Sequence, residues 1–485
     1  MSQSGLTSVH KWSGRGTIGS TSLLEGKVEL RPAESDALAT YLSYYEPFIG
    51  DRRTQTLFRG TIKGIIGAES LVCAQIAAQS PELAAHPNSP QRIRRLARQT
   101  TTQRSTLDAA SLTGRIRQRT IEHLQDDDEI WILLDGSDLR KLYARQMEAL
   151  QQVLSLDKKR LVNGYRTLNA LAIGHRYRGL LYHRLFSCTE EDFKSESQEV
   201  QTALQTMIEA THPLSATVIY VMDSGLDDIA VWGTIWEADQ HLVCRLKSMD
   251  RIVAHREITG EWRSMSVQRA ADYLQPLATI QTDLVVQKRG QRSAKLQTVT
   301  ARVSACPLQV TYQVDVRTKT TGAIRQKAVW LVRVTLEDVD WEPWYLITDL
   351  PVTDAPSALK VFRIYRQRWA IEDVFKVTKL CLGWEEVQVM TIDAVRTLVA
   401  LGWVAAGFIY ELGVTLEDPE IRLLARLGGW EERTDPARGP GKIILMRGLR
   451  RFFDMAAAQA ILADEIATHG QLPPRIAAML GRPPN

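Results

Sequence analysis

Cysteine is scarce in this chain: five residues among 485, Cys73, Cys188, Cys244, Cys306 and Cys381, odd in number and widely spread. Such usage excludes a disulfide framework and a cysteine-based zinc centre, and points to reduced thiols in a cytoplasmic setting. An excess of one charge is also lacking. With 60 basic and 56 acidic residues the formal net charge is +4, so composition alone does not single out a nucleic-acid binder. The longest apolar stretch, LVALGWVAAGFIY at 398–410, is too short to span a bilayer and reads as a buried helix. No signal-peptide core opens the chain, so no membrane partner is expected. The nine histidines show neither HExxH nor Cys/His ligand spacing. No Walker A loop and no G-x-S-x-G elbow occur, which removes ATP chemistry and serine hydrolysis. GRGTIG at 14–19 is a formal G-x-G-x-x-G, but no strand precedes it, so it is chance.

What remains is a globular composition, 44% hydrophobic and 24% charged, long enough for about three domains. The most informative stretch is VFRIYRQRWAIEDVFKVTKLCL at 361–382, free of Gly and Pro and expected to be one helix. On a helical wheel Tyr365, Arg368, Glu372 and Lys379 fall within roughly 60° of one another, with Lys376 beside them. Ile364, Ile371, Phe375 and Leu382 form an apolar stripe on one side of that line; Phe362, Trp369 and Leu380 form another. A solvated helix would instead set its charges opposite the core. One carboxylate among cations and a phenol, walled by apolar flanks, suits a cleft that handles metal-bound phosphate. Ordinary surface ion pairs are the alternative.

Two further carboxylates stand at the expected ends of buried strands. EIWILLDGSDL (129–139) runs apolar up to Asp135, with Asp138 and the acidic run Asp126–Asp128 as competitors. ATVIYVMDSGLDD (216–228) runs apolar up to Asp223, with Asp227 and Asp228 more suited to starting a helix. Between them, 165–174 and 179–187 read as a strand pair, and a helix is expected from Thr189 as N-cap to about Ala210. A helix at 227–239 and a strand at 241–248 follow. The order is three strands, helix, strand, helix, strand.

Residues 31–122 read as helices, with an arginine-rich one at 92–98; a second arginine cluster lies at 447–451. Residues 250–350 alternate as strands: Val310, Tyr312, Val314 and Val316 share one face, as do Trp330, Val332, Val334 and Leu336. Thr321-Gly322 marks a turn, and QKRGQRSAK (287–295) a basic hairpin tip. Residues 384–485 are again helical.

The spacing Tyr-x2-Arg-x3-Glu-x6-Lys at Tyr365, Arg368, Glu372 and Lys379, within YRQRWAIEDVFK, resembles the Y-R-E-K signature of DDE transposases from bacterial insertion sequences, insertion sequence family four. LLDGSDL resembles that family's first catalytic motif and picks Asp135. The resemblance covers about 130–410. It implies an α/β fold: a ribonuclease-H-like mixed sheet interrupted by an all-β insertion, flanked by helical N- and C-terminal domains. The expected division is 1–122 for DNA-end recognition, 123–249 and 351–415 for the catalytic core, 250–350 for the insertion, and 416–485 for a helical, dimerising end.

In function the resemblance implies cut-and-paste transposition. Asp135, Asp223 and Glu372 would hold two Mg2+ ions, with Mn2+ substituting. Tyr365, Arg368 and Lys379, with Lys376, would clamp phosphates, and Arg245 would contact DNA. Trp344 would hold a base flipped from the transposon end; Trp341 could serve instead, and a core Trp is the plain alternative. The partners would be double-stranded DNA, both inverted-repeat ends and target, and a second copy of the chain in the end complex, in the bacterial cytoplasm at the nucleoid. Family members often carry Arg after the second Asp, where this chain has Ser224. A transposase-derived protein that binds DNA without cutting, and a metal-dependent nuclease without strand transfer, are the competing expectations.

Overall fold

A computed structural model describes residues 36–84, 86–98, 107–155, 159–257, 260–286, 295–313, 324–431 and 440–479. Two compact units result, Ala37–Asp454 and a small one made of Met1–Asp36 with Met455–Asn485. The described residues begin with helices α1 (Asp36–Ser43), α2 (Arg52–Ala68), α3 (Cys73–Gln79), α4 (Pro81–Ala84), α5 (Ser89–Ala97) and α6 (Ala109–Leu124). Side-chain caps set the starts of α2 and α6: Asp51 accepts from Arg53 N at 2.8 Å and Thr54 N at 3.2 Å, and Asp108 from Ser111 N at 2.6 Å. Leu57, Phe58, Ile62, Ile65 and Ile66 recur at helical spacing and are buried. Gly64 lets α2 and α3 approach closely, because a Cβ there would lie 2.3 Å from Ile76 O. Gly64→Ala is therefore expected to lower stability by about 1–3 kcal/mol, read by urea denaturation.

The sheet begins with β1 (Glu129–Arg140), β2 (Gln151–Leu154), β3 (Leu161–Ile173) and β4 (Arg178–Phe186). Then come α7 (Glu196–Thr211), β5 (Thr217–Met222), α8 (Ile229–Glu237) and β6 (His241–Arg245). The 250–350 region supplies β7 (Ile252–Arg256), β8 (Trp262–Ser266), the short α9 (Val267–Ala270), β9 (Gln275–Val286), β10 (Lys295–Gln313) and β11 (Ile324–Leu336), before β12 (Trp344–Thr348). Twelve strands join in one mixed sheet, ordered β2-β3-β1-β5-β6-β12-β11-β10-β7-β8, with β4 on β3 and β9 on β10. Among the described residues only β1–β5 and β5–β6 pair in parallel. Residues 250–350 thus extend the central sheet through β12 instead of forming a separate layer, because β12 bonds to β6 on one side and β11 on the other.

Strand alternation sends side chains to two cores. Ile130, Ile132, Leu134, Tyr220 and Met222 face Leu204, Met207, Trp232 and Ile235 of α7 and α8. Leu133, Ile219 and Val221 face the other core, shared with the N-terminal helices and the helices after β12. Those are α10 (Ala355–Arg366), α11 (Ala370–Lys376), α12 (Ile392–Thr415), α13 (Asp418–Leu427) and the first part of α14 (Lys442–His469); α15 (Pro474–Met479) follows in the chain. The apolar run at 398–410 lies inside α12, whose 24 residues are long and apolar enough to cross a membrane. That helix is wrapped by protein, with 89% of its most apolar window buried. Tyr41 OH donates to Val404 O at 2.8 Å, one of the ties from α1 to α12. A mixed α/β fold with this large sheet is compatible with a ribonuclease-H-like domain.

Local departures from expectation have identifiable causes. Strand β1 does not end at Asp135; it runs to Arg140 because β3 continues to pair with it after β5 has stopped. Helix α7 starts at Glu196, not after Thr189, because Ser195 takes the cap by accepting from Gln198 N at 3.1 Å. The 361–382 stretch is helical but not uniform, with a 3-10 turn at Gln367–Trp369 and a π turn at Val377–Cys381. Leu380 is 72% exposed, so it does not belong to an apolar flank. The GRGTIG segment, the hairpin tip at 287–294, the Thr321-Gly322 turn, and Val314 and Val316 lie outside the described residues.

Candidate active site

Strands β1 and β5 lie side by side in parallel, and their pairing runs through Leu134 opposite Met222. The next residues are Asp135 and Asp223, so parallel register alone delivers two carboxylates to neighbouring positions at the carboxyl end of the pair. Each is oriented locally: Asp135 Oδ1 accepts from Gly136 N and Asp223 Oδ1 from Ser224 N, both at 2.8 Å. Helices α10 and α11 cover this end of the sheet and bring Tyr365, Arg368 and Glu372. Arg368, only 9% exposed, joins the set. Its Nη1 lies 3.6 Å from Asp135 Oδ2 and 3.6 Å from Asp223 Oδ2, and its Nη2 donates to Glu372 Oε1 at 3.0 Å. The two aspartate oxygens are therefore no more than twice that first distance apart. Tyr365 OH donates to Asp223 Oδ1 at 3.2 Å, and Arg245 Nη1 stands 4.0 Å from the same oxygen.

Burial, which disfavours the charged form, and the Asp223 charge lift the Asp135 carboxyl to about 6 against the pull of Arg368. Burial likewise raises the Tyr365 phenol, with Asp223 adding to it, so Tyr365 stays a proton donor. Burial opposes the charge of Arg368, but Asp223, Tyr365, Asp135 and Glu372 outweigh it and raise its pKa.

The remaining expected residues lie elsewhere. Lys379 Nζ donates to Ser137 Oγ and to Asp138 O, both at 2.7 Å, and staples the end of β1 without meeting the three carboxylates. Burial lowers its pKa, against the pull of Glu385. The π turn explains the displacement: it adds a residue to the turn and rotates Lys379 off the line of Glu372. Lys376 is exposed and pairs with Asp373 at 3.2 Å. Trp344 is 4% exposed, ringed by Phe362, Tyr365, Trp369 and Trp341 with centroids 5.4 to 6.5 Å away. In the chain alone the indole is thus buried in an aromatic cluster, with Trp341 half-buried beside it. Residues not anticipated are Arg140, Lys141 and Glu385. Arg140 Nη1 pairs with Glu385 Oε1 at 3.0 Å, and buried Lys141 donates to Glu385 O at 2.8 Å and to Val387 O. Together they tie the end of β1 to the segment after the π turn. Reading β1 through Leu139 would have exposed them.

Among the described residues no group of three or more His, Cys, Asp and Glu side chains is gathered closely enough to hold a metal ion. The donor set nonetheless fits a hard dication in kind: three carboxylates, all oxygen, with a cation already placed among them. That cation is Arg368, whose guanidinium contacts all three carboxylates.

Residues 192–406 match the family model described as "Transposase DDE domain", which takes in Asp223, Arg245, Trp344 and the whole 361–382 stretch and begins after Asp135. This match supports a DDE transposase and a role in DNA transposition in general terms. No curated protein matches the chain.

Proposed function

We propose that the chain is a cut-and-paste DNA transposase of the insertion sequence four type, which cleaves phosphodiesters at transposon ends and joins the freed end to target DNA. The observation that carries the reading is the convergence of Asp135, Asp223 and Glu372, from two strands and a helix, on one guanidinium. The Y-R-E-K spacing and the family match support it.

Asp135, Asp223 and Glu372 are the residues that would hold Mg2+ or Mn2+. Two bound ions would supply an activated attacking oxygen and a stabilised leaving oxygen. The chain's own groups do the rest. Tyr365, kept protonated, donates towards the oxygen of Asp223 and fixes that carboxylate. Arg245 and Arg368 set two guanidinium forks beside the carboxylates, suited to gripping the phosphates on either side of the scissile bond. Lys379 holds Ser137 and Asp138, and so the end of β1, in register with Glu372. Exposed Arg94, Arg95 and Arg98 on and just after α5 are suited to phosphate contacts in end recognition. Pairing of two copies through the C-terminal helices, and a bacterial cytoplasmic location at the nucleoid, complete the reading.

A non-cutting DNA-binding protein is the competing reading, favoured by the lack of a metal-ready group among the described residues. The separating experiment incubates the wild type with DNA from both flanks of its gene in Mg2+ or Mn2+. Metal-dependent nicking at an inverted-repeat boundary is expected; a specific footprint with no nick under any metal supports the competitor.

Asp135 adds a pH signature. Burial lifts its carboxyl to about 6 in the chain alone, and a ligating carboxylate must be deprotonated, so Mn2+ binding should strengthen as pH rises through that value. Stability runs the other way. A raised carboxyl contributes stability below its unfolded value and loses it as pH rises through about 6. Asp135→Asn should therefore gain melting temperature over the wild type, without metal, at pH 7 to 8 and not at pH 4.

A further inference from the structure

We propose that Arg368 is a built-in counter-ion which occupies the carboxylate site until a phosphate of bound DNA draws it away, so that metal and DNA bind cooperatively. The proposal rests on the DNA-cutting reading above and adds a regulation of that site. Three observations carry it. A single guanidinium contacts all three carboxylates, at 3.0 Å for Glu372 and 3.6 Å for both aspartates. With that guanidinium in place, the three carboxylates do not form a group able to hold a metal. And Arg368 sits in the 3-10 turn Gln367–Trp369 that separates α10 from α11, a non-α joint at the one residue that would have to move.

The electrostatics give the coupling its sign. Three carboxylates are opposed by Arg368 and, at 4.0 Å from Asp223, by Arg245. A dication entering beside the Arg368 guanidinium is repelled at close range, and the same guanidinium takes the oxygens that would coordinate it. A buried guanidinium cannot simply leave, because it would lose all its ion pairs at once. A DNA phosphate offers a replacement of matching geometry, two oxygens for the planar fork. Once Arg368 turns to the phosphate, three carboxylates are left under-neutralised and attract the metal. Reciprocity follows: metal must tighten DNA binding by the factor that DNA tightens metal binding. The arrangement withholds the metal from a chain that has no DNA, which limits stray cutting.

The test counts free Mn2+ by electron paramagnetic resonance as full-length protein is titrated without DNA. Arg368→Met, checked for fold by circular dichroism, should bind Mn2+ at least about tenfold tighter than the wild type. Arg368→Lys keeps the charge on a shorter stem with fewer donors and should fall between. A second arm measures duplex binding by fluorescence anisotropy with Ca2+ and with EDTA. The wild type should bind DNA more tightly in Ca2+, and Arg368→Met should lose most of that difference. Mn2+ affinity in Arg368→Met equal to or weaker than the wild type overturns the proposal. Should that variant fail to fold, wild-type Mn2+ affinity in Arg368→Lys overturns it. The Mn2+ ranking needs no DNA, so it stands apart from the DNA-cutting reading; a wild type that binds no flanking duplex under any condition overturns that reading instead.

Discussion

Glu372→Ala is expected to lower strand cleavage by about a thousandfold or more while leaving DNA-end binding within about threefold of the wild type. Glu372 is the only one of the three carboxylates delivered by a helix, α11, which packs against β1 and β3. Its removal takes one of three oxygen-donor groups from the centre. It leaves Arg368 in contact with Asp135 and Asp223. The end-binding surfaces are untouched, and Glu372 is not a core residue, so the fold should persist. Single-turnover cleavage and anisotropy on the same labelled duplex read both quantities. Equal losses in cleavage and binding would make Glu372 a structural or DNA-contacting residue; unchanged cleavage would remove it from the centre.

The largest expected effect on stability lies far from the carboxylates. Arg119 of α6 makes a two-pronged pair with Glu411 of α12: Nε donates to Oε2 at 2.6 Å and Nη2 to Oε1. Glu411 is only 2% exposed, with His123 Nε2 3.6 Å away as its other partner. Arg119→Met keeps the stem and deletes the charge, so a buried carboxylate loses its main counter-ion. The expected cost is about 3–5 kcal/mol, measured by urea denaturation at pH 7. Burial pushes the Glu411 pKa up, but Arg119 and His123 more than reverse it, and the net shift is downward. A depressed carboxyl contributes stability above its unfolded value and loses it as pH falls through the folded one. The gap between wild type and Arg119→Met should therefore be widest near neutrality and narrow towards pH 4. The double variant Arg119→Met/Glu411→Leu should recover most of the loss, because an apolar pair leaves no charge stranded.

Much of the centre was legible because its cues are local. Apolar strands that run into Asp135 and Asp223, and a Tyr-Arg-Glu pattern on a helix, depend only on neighbours in sequence. The parallel register then brings the two aspartates level at no further cost in information. What was not legible depends on partners distant in the chain. Asp135 reads as a strand end because the apolar run stops there, yet β3 keeps β1 extended to Arg140. Lys379 reads as part of the polar line on an ideal wheel, yet a π turn re-aims it at Ser137 and Asp138. Trp344 has the right chain position for a base contact, and only the packing of Phe362, Tyr365 and Trp369 around it shows that its ring is buried in the chain alone. The strands of 250–350 were readable by alternation. Their fusion with the central sheet was not, because a strand's pattern reports which face is buried and not which neighbour it bonds to.

The most direct test of the central claim, metal-assisted cleavage of a phosphodiester by Asp135, Asp223 and Glu372, replaces the leaving 3′ oxygen of the scissile bond with sulfur. Sulfur is a poor ligand for Mg2+ and a better one for the softer Mn2+. Single-turnover cleavage of that duplex by the wild type should fall steeply in Mg2+ and recover in Mn2+, while the all-oxygen duplex is cut in both. Cleavage of the sulfur substrate at the same rate in Mg2+, Mn2+ and EDTA would contradict a metal at the leaving atom, and with it the role assigned to the three carboxylates.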